Sequence, residues 1–152
     1  MQTARLLLIG FLVLNLISCA NVSKAPEQQN VEAMEFQAPE GKGTVYLYRT
    51  GRAVGAAAQL LVKVNGQDAG GTGPGTFFKW DLKPALYTFL SSTAESSVTV
   101  QLDVKEGEIY FIRQDARMGL NSGRVTMKQV DSAQGMAEVK SCQLLVSSFV
   151  PE

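Results

Sequence analysis

The chain has no histidine among its 152 residues. That absence removes the usual general base near neutral pH, the commonest nitrogen ligand for metals and the usual pH switch. A Ser–His–Asp triad and a Cys–His pair are both impossible, and a zinc site lacks ligands. Charge of one sign is missing too: 14 Lys and Arg face 14 Asp and Glu. No overall basic field therefore exists to gather nucleic acid or anionic lipid. Cysteine is nearly absent, with only Cys19 and Cys142. A long apolar run is lacking as well. The one candidate, residues 6–17, is about a dozen residues and is interrupted by Gly10 and Asn15, whereas a spanning helix needs roughly 20.

What is present at the start is the three-part plan of a secretory signal. Arg5 supplies the positive end, residues 6–17 the apolar middle, and Leu16-Ile17-Ser18-Cys19 the cut site. This tetrad resembles the bacterial lipobox. The resemblance implies that the Cys19 thiol receives a diacylglyceryl group, that the Ser18–Cys19 bond is cut, and that the new amine is acylated. Ala20, rather than Asp, follows the cysteine. By resemblance to enteric lipoproteins, that directs the chain to the outer membrane, facing the periplasm. Removing 18 of the 152 residues leaves 134, which suits one domain and a tether. Several acyl chains hold far more firmly than a single myristoyl, each buried methylene contributing about 0.8 kcal/mol. With Cys19 lipidated, Cys142 has no partner in the chain. It reads either as a small buried apolar side chain or as a thiol for intermolecular pairing or redox chemistry.

Residues 1–18 are thus expected to be the signal, 19–40 an anchor and flexible tether, 41–146 one domain, and 147–152 a tail. The tether is polar, and as a random coil it would hold the domain roughly 25 Å from the bilayer. Within it, residues 31–36 read as a short helix or as part of the coil. Within the domain, alternation predicts strands over residues 44–50, 59–65, 76–82, 86–91, 98–104, 109–114 and 124–130. Asn65-Gly66 is a strong hairpin signal. Residues 70–75 read as a mobile glycine-rich loop, with a binding role as the alternative. The Glu106-Gly107 turn makes strand 109–114 the expected hairpin partner of 98–104. Residues 132–145 read as a short helix weakened by Gly135. About seven short strands without helical crossovers predict an all-β antiparallel sandwich with a short C-terminal helix.

The segment Gly41-Lys42-Gly43-Thr44-Val45-Tyr46-Leu47-Tyr48-Arg49 resembles the opening G-K-x-x-V-Y-x-Y-R of a family of bacterial lipoproteins sharing one domain of unknown function. Val62-Lys63-Val64-Asn65-Gly66 and Gly75-Thr76-Phe77-Phe78 are similar to its next two elements. The likeness runs from about Gly41 to Leu145, with Ala85 where the family has Gly and Glu108 where it often has Lys. It implies a β-sandwich on a lipid tether and transfers no activity. The turns at Asn65-Gly66, Pro84-Ala85 and Gly107-Glu108 also resemble those of small sandwich modules appended to cell-envelope proteins.

No nucleophile–base pair is visible. Asp81 and Asp103 could meet across strands but alternate outward, and Lys42, Lys79 and Lys140 are lysines without a poised serine. The Gly70–Gly75 stretch lacks the lysine and following helix of a phosphate cradle. Arg49 ends a strand whose same face carries Val45 and Leu47, and Arg113 ends another. Each reads either as a snorkelling or salt-bridged edge arginine or as a recognition residue, Arg49 then sitting beside Tyr48 and Trp80. The leading expectation is a non-enzymatic envelope lipoprotein with no cofactor, no metal and no nucleic acid. It would be tied to the membrane through Cys19 and bind an envelope protein or glycan. The alternatives are an envelope hydrolase and a carrier of an apolar ligand between the two layers.

Overall fold

The computed structural model describes residues 23–52, 58–120 and 123–152. Among them, two sheets pack face to face as a sandwich. The first holds β1 (Gly43–Arg49), β4 (Thr76–Leu82), β7 (Ile109–Arg117), β8 (Arg124–Val130) and β9 (Gln143–Leu144), in the order β8-β7-β1-β4-β9. The second holds β2 (Leu60–Val64), β3 (Gln67–Thr72), β5 (Ala85–Ser92) and β6 (Ser97–Val104), in the order β3-β2-β5-β6. The all-β sandwich is therefore as expected, with nine strands rather than seven. No helix among the described residues is long and apolar enough to cross a membrane.

β1 is the spine. Its β-branched and aromatic residues suit the pleat, and every one of them is buried because it is the middle strand and both faces are covered. Inward, Val45 and Leu47 meet Phe78, Trp80, Phe89 and Val64 between the sheets. Outward, Tyr46 and Tyr48 join Phe77 and Phe111 beneath α1 (Glu27–Ala33) and α2 (Ser132–Val139). Asn65 and Gly66, at φ of 49° and 83°, make the β2–β3 turn that their sequence signals.

Five expectations need correction. First, β7 is not the hairpin partner of β6. It crosses to the other sheet, lying parallel to β1 and antiparallel to β8, while β6 pairs with β5. The crossing turn presses on the start of β1: a Cβ on Gly43 would lie 2.4 Å from the Lys105 carbonyl oxygen, so only glycine lets the chain pass. With β4 and β9 also parallel, the sandwich is mainly, not wholly, antiparallel. Second, the presumed loop at 70–75 begins as strand β3. At Gly70, φ is 115° and an added Cβ would touch the Phe78 ring at 3.3 Å, so the glycines admit a core ring. Third, β7 continues past Gln114 to Arg117 because its polar end pairs with β8.

Fourth, residues 23–36 are docked rather than free. Ala25 N–H donates to the Leu144 carbonyl at 2.9 Å, Val146 N–H to the Ser23 carbonyl at 2.8 Å, and Tyr46 Oη to the Ala33 carbonyl at 2.8 Å. Phe36, held at φ 51°, lays its ring 5.3 Å from that of Tyr46 and 6.0 Å from that of Phe111. The apolar residues of the expected tether cover the outer aromatic face, which explains why they are there. Fifth, α2 ends at Val139 and the chain turns into β9. The tail also packs: Phe149 is buried, 6.2 Å from the Trp80 ring, and Trp80 Nε1 donates to Ser147 Oγ at 2.9 Å.

Candidate functional site

Where the outer face of the first sheet runs beyond the two helices, its chemistry changes from aromatic to cationic. Along β7 the outward residues are Phe111, then Arg113, Asp115 and Arg117. Along β8 they are Arg124, Thr126 and Lys128, since Val125 and Met127 turn inward and are buried. The register sets Arg113 opposite Lys128, Asp115 opposite Thr126, and Arg117 opposite Arg124. Two of three cross-strand pairs therefore place like charges side by side. Such pairs are destabilising, on the scale of about 0.2–1 kcal/mol for opposed side chains.

Arg113 is the organised member. Its Nη1 donates to Glu138 Oε1 at 2.7 Å and its Nη2 to Asp115 Oδ1 at 3.2 Å. Its Nε lies 3.0 Å from Asp115 Oδ2, an ion-pair contact rather than an aligned hydrogen bond. Burial works against the guanidinium, but the hydrogen bond to Asp115 and the charges of Asp115 and Glu138 outweigh it, so its pKa is raised. Glu138 comes from α2, whose N-terminus is capped by the Asp131 side chain accepting from Gln134 N–H at 2.9 Å. Tyr48 Oη also donates to Glu138, at 2.6 Å. Burial first, and then that hydrogen bond, push the Tyr48 phenol well above its ordinary pKa.

Arg117 and Lys128 are exposed, as is Arg52 on the loop after β1, and none has a carboxylate partner among the described residues. Arg124 is 3.5 Å from Glu95. Two adjoining cavities open here. One of about 420 Å³ is lined by Arg49, Thr50, Arg52, Asp115, Arg117 and Met118. The other, about 360 Å³, is lined by Arg52, Arg113, Asp115, Arg117, Thr126 and Lys128. Thr50 Oγ1 is buried beside the first with no hydrogen-bond partner among the described residues.

The residues singled out from sequence fall as follows. Tyr48 and Arg113 are Cα partners across the parallel pair and converge on Glu138, so they do belong together. Arg49 points to the other face of the same strand, buried, its Nη1 donating to the Ala58 carbonyl at 2.6 Å. Burial lowers its pKa, and the charge of Asp115 raises it in part. Trp80 is a core residue at the level of Val45, not beside Arg49, whose own partner on β4 is Thr76. All four are buried; the exposed cations that a partner would meet are Arg52, Arg117 and Lys128. Sequence reading missed these three, because Arg117 and Lys128 are brought together only by the β7–β8 register and Arg52 only by the loop that carries it beside them.

Cys19 lies outside the described residues. Cys142 is buried under α2, its thiol 3.4 Å from the Glu138 carbonyl, and burial raises its pKa. Asp81 and Asp103 sit in different sheets, the first bound by Thr44 Oγ1 at 2.6 Å and by Lys79, the second paired with Lys105. The layer between the sheets, where an apolar cargo would sit, is filled by Phe78, Trp80, Phe89 and Leu102.

Fold and face together define a small β-sandwich module with a cationic strand end. Residues 39–127, 89 of the 152 positions, match the model of a family described as a protein of unknown function (DUF2846), and the chain belongs to that family. The match stops within β8, short of the Leu145 limit expected from sequence, so α2 and β9 lie outside it. The chain is also similar to an uncharacterized protein of Haemophilus influenzae. Identity is 27% over 145 residues, covering 95% of this chain and 85% of that one.

Proposed function

We propose that this protein is an envelope lipoprotein, anchored through acyl chains on Cys19 to the periplasmic face of the outer membrane, whose sandwich is a non-enzymatic binding module. The observation that carries the reading is the succession of Arg5, the short apolar run and Leu16-Ile17-Ser18-Cys19. A chain with no histidine supports the non-enzymatic part. The cationic face, whose described residues hold no nucleophile–base pair, suits recognition rather than turnover.

The docked N-terminal segment changes how such an anchor would work. Ser23 is already bonded to Val146 beside β9, and it stands only four residue steps from Cys19. At about 3.3–3.6 Å per residue that is at most about 14 Å. The β9 edge would then lie close to the bilayer, without the longer reach of a free tether. The β8 edge is four strand spacings away, about 19 Å at about 4.8 Å each, and would face the aqueous space.

Replacing Cys19 by Ala tests the anchor. Labelled palmitate should be incorporated into the wild type and not the variant, and the variant should leave the membrane fraction or remain unprocessed. Normal cleavage with unchanged membrane retention in the variant overturns the lipid assignment.

A further inference from the structure

We propose that the cationic end of β7 and β8, closed on one side by Arg52, is a binding site for a phosphate-bearing ligand that arrives from the aqueous side. The proposal deepens the binding-module reading by naming the site and the chemistry it takes.

The first observation is the register. Across β2 and β3 the same chain places Lys63 directly opposite Asp68, joined at 3.4 Å. Across β7 and β8 it places Arg113 opposite Lys128 and Arg117 opposite Arg124. A strand pair shaped only for stability would set opposite signs against each other, as β2–β3 does at Lys63 and Asp68. The second observation is how the site's one central carboxylate is used. Asp115 is engaged by Arg113 through both Nε and Nη2, so its charge is largely answered before a ligand arrives. Arg52, Arg117 and Lys128 are left with their charge directed at solvent around the two cavities. The third is Thr50, whose buried hydroxyl oxygen has no hydrogen-bond partner among the described residues and which lines the larger of the two cavities.

The ligand chemistry follows from the donors. Guanidinium groups present planar forks that match oxyanions, and an ammonium adds a point charge. Three cations without a carboxylate partner among the described residues, gathered on one face, favour a group with more than one negative charge, which phosphate supplies and a single carboxylate does not. Arg113, held by Glu138 and Asp115, is the fixed wall of the site, whereas Arg117 and Lys128 are exposed and can close on the ligand. The site lies on β7 and β8, across the sheet from the β9 edge to which residues 23–25 are bonded. A ligand from solution is therefore favoured over headgroups at the anchoring edge.

The test uses the full protein purified in detergent, with inorganic pyrophosphate as the probe and chloride holding ionic strength constant. Pyrophosphate should raise Tm, because a ligand that binds only the folded state stabilises it. In Arg117→Gln/Lys128→Gln, Tm without probe should equal or exceed that of the wild type, since like-charge repulsion is relieved, and pyrophosphate affinity should fall at least tenfold. Lys83→Gln, an exposed lysine between β4 and β5 that removes one cation elsewhere, should leave affinity unchanged. Three results overturn the proposal: no probe-dependent shift beyond the chloride control, an equal loss in Lys83→Gln, or displacement of pyrophosphate by a lower concentration of soluble dihexanoyl phosphatidylglycerol. The last would mark a headgroup site. None of these touches the lipid assignment, which the Cys19→Ala experiment decides separately.

Discussion

Gly135 offers a test in which two known effects oppose each other. It sits inside α2, where alanine is the better helix former by about 0.8–1 kcal/mol, so helix propensity alone favours Gly135→Ala. The structure reverses the sign. A Cβ at this position would lie 2.1 Å from Phe111 Cγ, 2.5 Å from Phe111 Cβ and 2.5 Å from Cδ1. The ring has no room to retreat, being stacked on Tyr46 at 5.0 Å and 13° and flanked by Phe36 at 6.0 Å. The helix must lift instead, and overpacking of this kind costs about 1–3 kcal/mol. Because the clash is with the root of the ring rather than its tip, the upper part of that range applies, leaving a net loss of about 1–2 kcal/mol. With an unfolding entropy of about 2.1 cal/mol/K per residue, that is a fall of roughly 4–8 °C in Tm for a domain of this size. Urea unfolding followed by fluorescence of Trp80, the sole tryptophan, gives the free energy directly. The decisive control is the background Phe111→Ala, where Gly135→Ala should become neutral or stabilising. A stabilising effect in the wild-type background, or the same loss in both backgrounds, refutes the steric argument.

Two further outcomes follow from buried polar groups. Gln114 on β7 is buried between the sheets, hydrogen-bonded to Thr72 Oγ1 and donating from Nε2 to Ser91 Oγ at 2.5 Å; Ser91 in turn donates to the Leu61 carbonyl at 2.9 Å. Gln114→Leu takes away the acceptor of the Thr72 hydroxyl and the donor to Ser91 Oγ, and should lower stability by about 1–3 kcal/mol, read as a lower urea midpoint at unchanged slope. The second outcome concerns alkaline pH. Burial pushes the phenols of Tyr46 and Tyr48 well above their usual pKa, with the charge of Asp81 adding at Tyr46 and the bond to Glu138 at Tyr48. The unfolded chain gives up these protons near pH 10 and the folded one holds them. Stability from this source is therefore intact below about pH 10 and declines as pH climbs above it toward the folded-state values. Their ionisation, followed at 295 nm, should coincide with loss of near-ultraviolet circular dichroism. Reversible ionisation of all four tyrosines near pH 10 with the native signal retained contradicts it.

Much of the fold is legible because it is local. Alternation in Val98, Val100, Leu102 and Val104 and the Asn65-Gly66 pair report a strand and a turn without reference to anything distant. The parts that escape are those a partner decides. β3 carries three small residues, Ala69, Gly70 and Gly71, which have no pattern of their own and are small because Phe78 and the Gln59 side chain occupy the space beside them. β9 is two residues long and exists only through its pairing with Thr76 and Phe77. The segment at 23–36 looks like linker by composition, yet Ala33, Met34 and Phe36 are the few apolar residues needed to roof Tyr46 and Phe111. A tight turn at Glu106-Gly107 suggests a hairpin. Gly43, 63 positions before Glu106 and adjacent to the turn in space, is what lets it cross to the other sheet instead.

The candidate site escaped for the same reason in sharper form. Arg113 stood out at a strand end, but its neighbours in function are Arg117, four residues on, and Lys128, on the next strand, and neither is notable alone. Only when Arg113 faces Lys128 and Arg117 faces Arg124 does an ordinary count of balanced charges become a local excess. A slip of one residue in that pairing would turn Val125 and Met127 out of the core and bring the cations in, so burial of those two side chains fixes the juxtaposition. The repulsion is then not an accident that the hairpin could relieve by shifting. It is imposed by the core and opposed on its inner flank by Glu138, which α2 delivers to Arg113 at 2.7 Å. On that reasoning, Glu138 has a different standing from the exposed cations. Removing Arg117 or Lys128 relieves strain, whereas Glu138→Gln leaves Arg113 with one carboxylate fewer and Tyr48 with a weaker acceptor, and stability should fall. Opposite signs of stability change within a single charged cluster separate the groups that hold the face in place from those left free to hold something else.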